Sequence, residues 1–231
     1  MERGILASHI DFANHNPDAT EADIRKLCTS VLKYKFNSAF VNQSHVQLAR
    51  KILGSKAKVG TVVSFPLGQD SMKSKIFSVI DCVKNGADEI DVSMNVGLFK
   101  ENKKAALEEM TEIVKAAKKT RKSIIVKFII ETGYLNSEEI ATASKLVVDS
   151  GADFVKTCSG YGPRGASLKD VRIIRRTIGN KAFIKVAGGI KTTKQALDFL
   201  KAGADRMGTS HAISIVTESG SKGKSKHRGN E

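Results

Sequence analysis

Three charged residues stand where a chain seldom leaves charge: Asp91 in Glu-Ile-Asp-Val, Lys156 in Phe-Val-Lys-Thr and Lys185 in Phe-Ile-Lys-Val, each flanked by apolar side chains. An ammonium in such a run must find a partner or lose its proton, because removal from water disfavours the charged form. A neutral lysine is a nucleophile toward carbonyl carbon, so these residue types point to Schiff-base chemistry. Two lysines close together in a poorly hydrated pocket each disfavour charge on the other, and a shift from ~10.4 toward ~7–8 leaves a useful neutral fraction at physiological pH. On this reading Lys156 attacks an aldehyde. Lys185 stays protonated as electrostatic perturber and acid, and Asp91 transfers protons directly or through a water. For any one of these residues alone an interior ion pair is the more ordinary explanation; the three together point to chemistry.

The elements that must position them follow from periodicity. Gly-Ala-Asp occurs three times, from Gly86, Gly151 and Gly203, each time after an amphipathic helical pattern and before an apolar run. Glycine suits the left-handed turn that closes a helix. Read this way throughout, the chain has strands near 8–12, 38–41, 59–65, 89–92, 123–131, around Lys156, 182–186 and 206–208. Helices alternate with them at about 20–35, 44–53, 70–84, 103–119, 137–149, 168–178, 193–201 and 210–216. Thr20, with Asp23 three residues on, and Ser137 are the expected helix caps. Eight strand–helix units predict a single α/β domain, a (β/α)8 TIM barrel over residues 1–217, with an open doubly wound sheet as the alternative. Beyond that the composition turns to Ser, Gly and Lys, which predicts a basic, disordered tail over 218–231.

In a parallel barrel the active site gathers at the C-terminal ends of the strands. The polar residues expected there are Asp11, Asn42, Ser64, Asp91, Lys127, Glu131, Lys156 and Lys185, from strands one to seven in order. Loops after the seventh and eighth strands commonly cradle phosphate, because exposed backbone N–H groups and a helix N-terminus favour an anion. Gly188, Gly189, Gly208 and Ser210 fall in those loops, and Gly160 after the sixth strand can join them. The five histidines show no i, i+4 pair and no grouping with cysteine, so no metal site is expected; His15 and His211 approach the mouth.

A chain of 231 residues buries roughly 70% of its unfolded surface and needs no disulfide or metal to hold it. Cys28, Cys82 and Cys158 are odd in number and far apart, which fits a reducing, cytoplasmic setting. The apolar patch near the N-terminus is too short for a secretory signal, and the run 124–130 is broken by Lys127, so no membrane partner is expected. The formal charge of +14 raises the question of nucleic acid. The lysines are spread along helix faces among glutamates, without interleaved aromatics, so a solvated basic surface is the expectation and nucleic acid binding the alternative. Such a surface would attract a phosphorylated substrate. The sequence allows a homo-oligomer, dimer or tetramer, without settling which.

At these residues the chain resembles deoxyribose-phosphate aldolases. The matching stretches are Asp-Phe-Val-Lys-Thr-Cys-Ser-Gly, Lys-Val-Ala-Gly-Gly-Ile-Lys-Thr, Glu-Ile-Asp-Val with Asn95 and Gly97, Thr-Val-Val-Ser-Phe-Pro-Leu-Gly and Val-Lys-Phe-Ile-Ile-Glu-Thr, running in order from about Asp11 to Val216. The resemblance implies a (β/α)8 barrel and a class I aldolase with no cofactor. Its substrate would be a small phosphorylated sugar, 2-deoxy-D-ribose 5-phosphate, cleaved reversibly to D-glyceraldehyde 3-phosphate and acetaldehyde. It makes Lys156 the Schiff-base lysine, Lys185 the second lysine and Asp91 the proton-relay carboxylate. Gly160, Gly188, Gly189, Gly208 and Ser210 become phosphate-loop positions, and Asp11, Thr157 and Ser159 further substrate contacts. The chain departs from the pattern at Ala13, where many members carry threonine, at Tyr161 in place of a phosphate-contacting lysine, and at His211 in place of a serine. Ser93 and Met94 differ after Asp91, and the chain ends without a terminal tyrosine. These departures predict slower turnover or a shifted substrate preference.

Overall fold

Alternating apolar and amphipathic stretches fold into eight strands and ten α-helices among residues 3–221, the part that the computed structural model describes. In order these are α1 (Arg3–Ser8), β1 (Ile10–Asn14), α2 (Glu21–Tyr34), β2 (Ser38–Val41), α3 (Val46–Leu53), β3 (Lys58–Val63), α4 (Met72–Lys84), β4 (Glu89–Ser93) and α5 (Val96–Glu101). There follow α6 (Lys103–Thr120), β5 (Ile125–Ile129), α7 (Ser137–Asp149), β6 (Phe154–Lys156), α8 (Leu168–Ile178), β7 (Phe183–Ala187), α9 (Thr193–Lys201), β8 (Arg206–Thr209) and α10 (Ala212–Ser221). Every strand pairs in parallel with the next, and β8 pairs with β1, closing the barrel. The doubly wound alternative is thereby excluded.

The apolar core is the layer between strands and helices. Outward residues such as Ile90, Val92, Val126, Phe128, Ile184 and Val186 pack there with Val79, Ile113, Val147 and Ile174 from the helices, all fully buried. Successive strand residues point to opposite faces, so the alternate set faces the barrel axis, and here that set is charged: Asp11, Glu89, Asp91, Lys127, Lys156, Lys185 and Arg206.

The Gly-Ala-Asp repeat is a clamp at the N-terminal end of the barrel. Its glycines take φ of +103°, +82° and +110° at 86, 151 and 203, the left-handed region where a Cβ is strained. Each aspartate side chain accepts the backbone N–H of the second residue of the preceding strand: Val59 to Asp88 at 2.9 Å, Val126 to Asp153 at 2.8 Å and Ile184 to Asp205 at 2.7 Å. Each is also held by a cation on the helix that leads into that preceding strand, Arg50 on α3, Lys118 on α6 and Arg175 on α8 respectively. A fourth copy without the tripeptide stands before β2, where Lys35 takes φ +58° and the Asn37 N–H donates to the Ile10 carbonyl at 2.9 Å. The equivalent bonds run from Asp88, Asp153 and Asp205 to Val59, Val126 and Ile184.

Several boundaries differ from expectation. Ser8 closes the short helix α1, whose Leu6 and Ala7 are buried, so β1 starts at Ile10 and runs to Asn14. The stretch after β4 forms α5, capped by Asn95 and anchored by buried Phe99. Thr20 and Asp23 form the expected capping box, but the cap of α7 is Asn136, and Ser137 is the first helical residue. The helix α10 continues to Ser221, four residues into the stretch assigned to the tail; positions 222–231 lie outside the described residues. No described helix is long and apolar enough to cross a membrane.

Candidate active site

The register brings Lys156, the last residue of β6, directly beside Lys185 on β7. Asp91 reaches both from across the barrel: its Oδ2 lies 2.8 Å from Lys156 Nζ and 2.8 Å from Lys185 Nζ. Its other oxygen lies 3.2 Å from Lys127 Nζ, and Lys127 also pairs with Glu89. Below them Asp11 joins Lys185 at 2.7 Å to Arg206 at 2.8 Å, and Arg206 reaches Glu89 at 3.5 Å, completing a ring of ion pairs inside the strands. Lys58 touches Glu89 from the solvent-facing rim, at 3.1 Å. Gly60 and Gly208 leave room for this packing. A side chain at 60 would collide with the Phe40 ring, and one at 208 would press on Lys185 Cε at 3.0 Å. Lys185 Nζ in turn sits 3.4 Å above the Phe40 ring centre, a cation–π contact.

The electrostatics follow from burial and neighbours. Burial alone would raise the Asp91 carboxyl, yet Lys127, Lys156 and Lys185 together hold it well below the usual carboxylate range. Asp11 is likewise lowered by Lys185, Arg206 and Lys127 against its burial. Lys127 is raised, because Asp91, Glu89 and Asp11 outweigh desolvation. Lys185 moves the other way, down to about 8: burial is the largest cause, Asp11 and Asp91 oppose it, and Lys127 and Lys156 add to it. An amine at about 8 is still mostly protonated near neutral pH, but gives up its proton more readily than a free lysine. Buried among four close cationic and anionic partners, it is an amine prepared to release one.

Above the ring lies a cavity of about 240 Å³ lined by Lys156, Lys185, His15, Phe40, Lys191 and the glycine loops. Ser159, Gly160, Gly188, Gly189, Gly208, Ser210 and His211 all face it. Gly188 and Gly189 adopt φ of +96° and +82°, and a Cβ on Gly188 would press on Cys158 and Gly165, so the tight turn admits no larger residue. One wall is aromatic. His15 packs on Phe65 at 5.2 Å, Tyr161 meets Phe65 edge-on at 5.5 Å, and the Tyr161 hydroxyl donates to the His15 carbonyl at 3.4 Å. Burial, with Lys156 and Lys185 nearby, lowers His15 to about 3, so its ring is neutral there.

Two expected substrate contacts lie elsewhere. Asp11, second in β1 rather than at its end, is wholly buried one layer beneath the cavity, where Ser38 and Asn37 also donate to it. Thr157 is buried between strands, accepting from Ala187 N at 3.1 Å and donating to its carbonyl oxygen at 3.2 Å. Glu89, Arg206, Phe40 and Lys191 were absent from the expected set. A second, larger cavity of about 440 Å³ adjoins the first, with Ser159 and Tyr161 lining both.

The model of the DeoC/LacD family aldolases matches residues 5–216. A deoxyribose-phosphate aldolase of Caldicellulosiruptor saccharolyticus is 44% identical over 220 residues, covering 94% of this chain and 100% of that one. One of Thermococcus kodakarensis is 40% identical, covering 94% and 97%. Among solved structures, an aldolase called QR15 superposes with a TM-score of 0.88 at 36% identity, over 94% of this chain and 97% of that one. A tetrameric deoxyribose phosphate aldolase from Aeropyrum pernix gives 0.87 at 30% identity, over 96% and 93%.

Proposed function

The chain belongs to the DeoC/LacD family of aldolases, and from that premise we propose that it cleaves 2-deoxy-D-ribose 5-phosphate reversibly to D-glyceraldehyde 3-phosphate and acetaldehyde through a Schiff base on Lys156. The observation that carries this is the pair of buried amines sharing Asp91 Oδ2, each at 2.8 Å. Four buried cations, Lys127, Lys156, Lys185 and Arg206, face three carboxylates, Asp11, Glu89 and Asp91. The cluster is balanced when one amine has lost its proton. Lys185, lowered to about 8 by burial, can give up that proton, and the shared oxygen of Asp91 lets it take one from Lys156.

Neutral Lys156 then adds to the open-chain aldehyde, and the carbinolamine loses water to give an iminium. That iminium withdraws the electrons of the C2–C3 bond while the C3 hydroxyl gives up its proton; the bond breaks to leave a two-carbon enamine on the lysine and free glyceraldehyde 3-phosphate. Asp91 and Lys185 return a proton to the enamine carbon, and hydrolysis releases acetaldehyde and the amine. Backbone N–H groups of the loops at Gly160, Gly188–Gly189 and Gly208–Ser210 hold the phosphate, with Lys191 at the cavity wall as the cation. The free, buried thiols of Cys28, Cys82 and Cys158 suit a reducing, cytoplasmic setting.

Borohydride reduction in the presence of acetaldehyde tests the assignment. An ethyl group fixed on Lys156, and absent from a Lys156→Arg variant, is expected. Aldol cleavage by a protein whose Lys156 stays unmodified would overturn it.

A further inference from the structure

The larger cavity opens off the lysine cavity across the loop 159–162, away from the loops at Gly188 and Gly189 and at Gly208 and Ser210, and its walls are mostly apolar: Pro66, Leu67, Met94, Val96 and Ile129. Two polar groups are buried in that lining. Ser93, 2% exposed, has no partner for its Oγ, and Glu131, 6% exposed, has none for its Oε1. The other Glu131 oxygen accepts the Ser159 N–H at 2.9 Å, which fixes the carboxylate, and Glu131 sits at φ +50°. Leaving a buried polar atom unpaired is costly, and strained backbone clusters at ligand sites.

The register locates Ser93 relative to the chemistry. Ser93 stands beside Ile129, and Ile129 beside Lys156, at one level on β4, β5 and β6. Ser93 has the same parity as Asp91, so it points inward, one layer above that carboxylate. In an aldol reaction the donor's attacking carbon must face the acceptor aldehyde, whose phosphate lies at the glycine loops. The other substituent on the donor's carbonyl carbon therefore points away from those loops, toward Ser93 and Glu131. In acetaldehyde that substituent is a hydrogen, which leaves the cavity unused.

We propose that this cavity is a donor subsite for a hydroxymethyl group, so that the enzyme condenses hydroxymethyl ketones as well as acetaldehyde. A hydroxyl satisfies both unpaired atoms, donating to Glu131 Oε1 and accepting from Ser93 Oγ. The Glu131 carboxylate repels a phosphate on the same carbon, and the lysine in the lining, Lys100, is paired with Glu139 at 3.5 Å. With hydroxyacetone, Lys156 Nζ bonds to the ketone carbon and water leaves. The methyl group loses a proton to give the enamine, and that carbon bonds to the acceptor aldehyde, whose oxygen takes up a proton. Hydrolysis frees the β-hydroxy ketone and the lysine. The hydroxymethyl group, held in the cavity, does not react.

This inference rests on the Lys156 reading, and the experiment separates the two. With glyceraldehyde 3-phosphate as acceptor, the full chain is assayed with acetaldehyde, acetone and hydroxyacetone, and the ketone products are analysed for the position of the new bond. Hydroxyacetone is expected to exceed acetone in kcat/KM by about tenfold or more, reacting at its methyl carbon, because a site built for a hydroxyl rejects the analogue lacking it. Ser93→Ala and, separately, Glu131→Gln are expected to lower that ratio by about tenfold. Condensation of acetaldehyde without hydroxyacetone, bonding at the carbinol carbon, or a ratio unmoved in Ser93→Ala overturns the subsite and leaves the Schiff base standing. Failure with every donor, and no borohydride adduct, overturns both.

Discussion

Asp91 concentrates the electrostatics of the site in one side chain, since Lys127, Lys156 and Lys185 all lie within 3.2 Å of its oxygens. Asp91→Asn removes that charge and leaves buried Lys156 without its carboxylate, while Lys127 keeps Glu89 and Lys185 keeps Asp11, a change that costs about 3–5 kcal/mol. The loss is expected near neutral pH, where denaturant titrations of the two proteins would measure it. Activity has a separate pH signature. Lys185, held at about 8 by burial, accepts a proton from Lys156 only when neutral, so kcat/KM should rise as pH increases through about 8. Lys185→Met should remove that limb and most of the rate; an unchanged limb would assign it to another group. Lys156, Lys185 and Asp91 were legible because charge inside an apolar strand is conspicuous in one dimension. Glu89 and Arg206 were not, because each opens its strand, where a charged residue ordinarily faces water. Ser93 was visible only as a departure, since nothing local in a sequence tells an unpaired hydroxyl from a bonded one.

At the scale of elements, the clamp at the N-terminal end of the barrel separates stability from catalysis. A Cβ at Gly151 would meet nothing nearer than Val114 Cγ1 at 3.9 Å, so Gly151→Ala carries backbone strain alone, about 1–2 kcal/mol. Gly203→Ala adds a 3.1 Å approach to Arg175 Cγ and displaces the cation that holds Asp205, so it should cost more. Thermal unfolding checks this: about 2–4 °C is lost per kcal/mol in a domain of this size. kcat should stay constant in both, and a fall in kcat without a fall in Tm would contradict the separation. Alternation of strand and helix was readable because buried strands and amphipathic helices carry different periods, and the three Gly-Ala-Asp turns marked the changeovers. The fourth turn escaped notice because Lys35 takes the left-handed position without glycine. The start of β1 was misjudged because 3–8 is short and apolar in pattern, and that shift put Asp11 at the mouth instead of beneath it. Helix α5 was missed because six residues are too few to show a period.

For the molecule as a whole, the charge divides into two unequal parts. The cluster on the barrel axis nearly cancels itself, four cations against three carboxylates, so almost none of the formal +14 of the chain resides in it. No sequence-level count could make that division, because it depends on which lysines the pleat turns inward. A field of this sign reaches about 30 Å into 0.01 M salt but only about 8 Å at physiological ionic strength. It raises the local concentration of an anion at the mouth without touching the reacting atoms. Salt should therefore lower kcat/KM for deoxyribose 5-phosphate while leaving kcat flat, and leave kcat/KM for unphosphorylated deoxyribose nearly unchanged. Initial rates for both sugars across that salt range give the comparison. Equal losses for the two would mean that salt acts on the buried ion pairs or on the fold, because a field that works by attracting phosphate has nothing to act on in the neutral sugar.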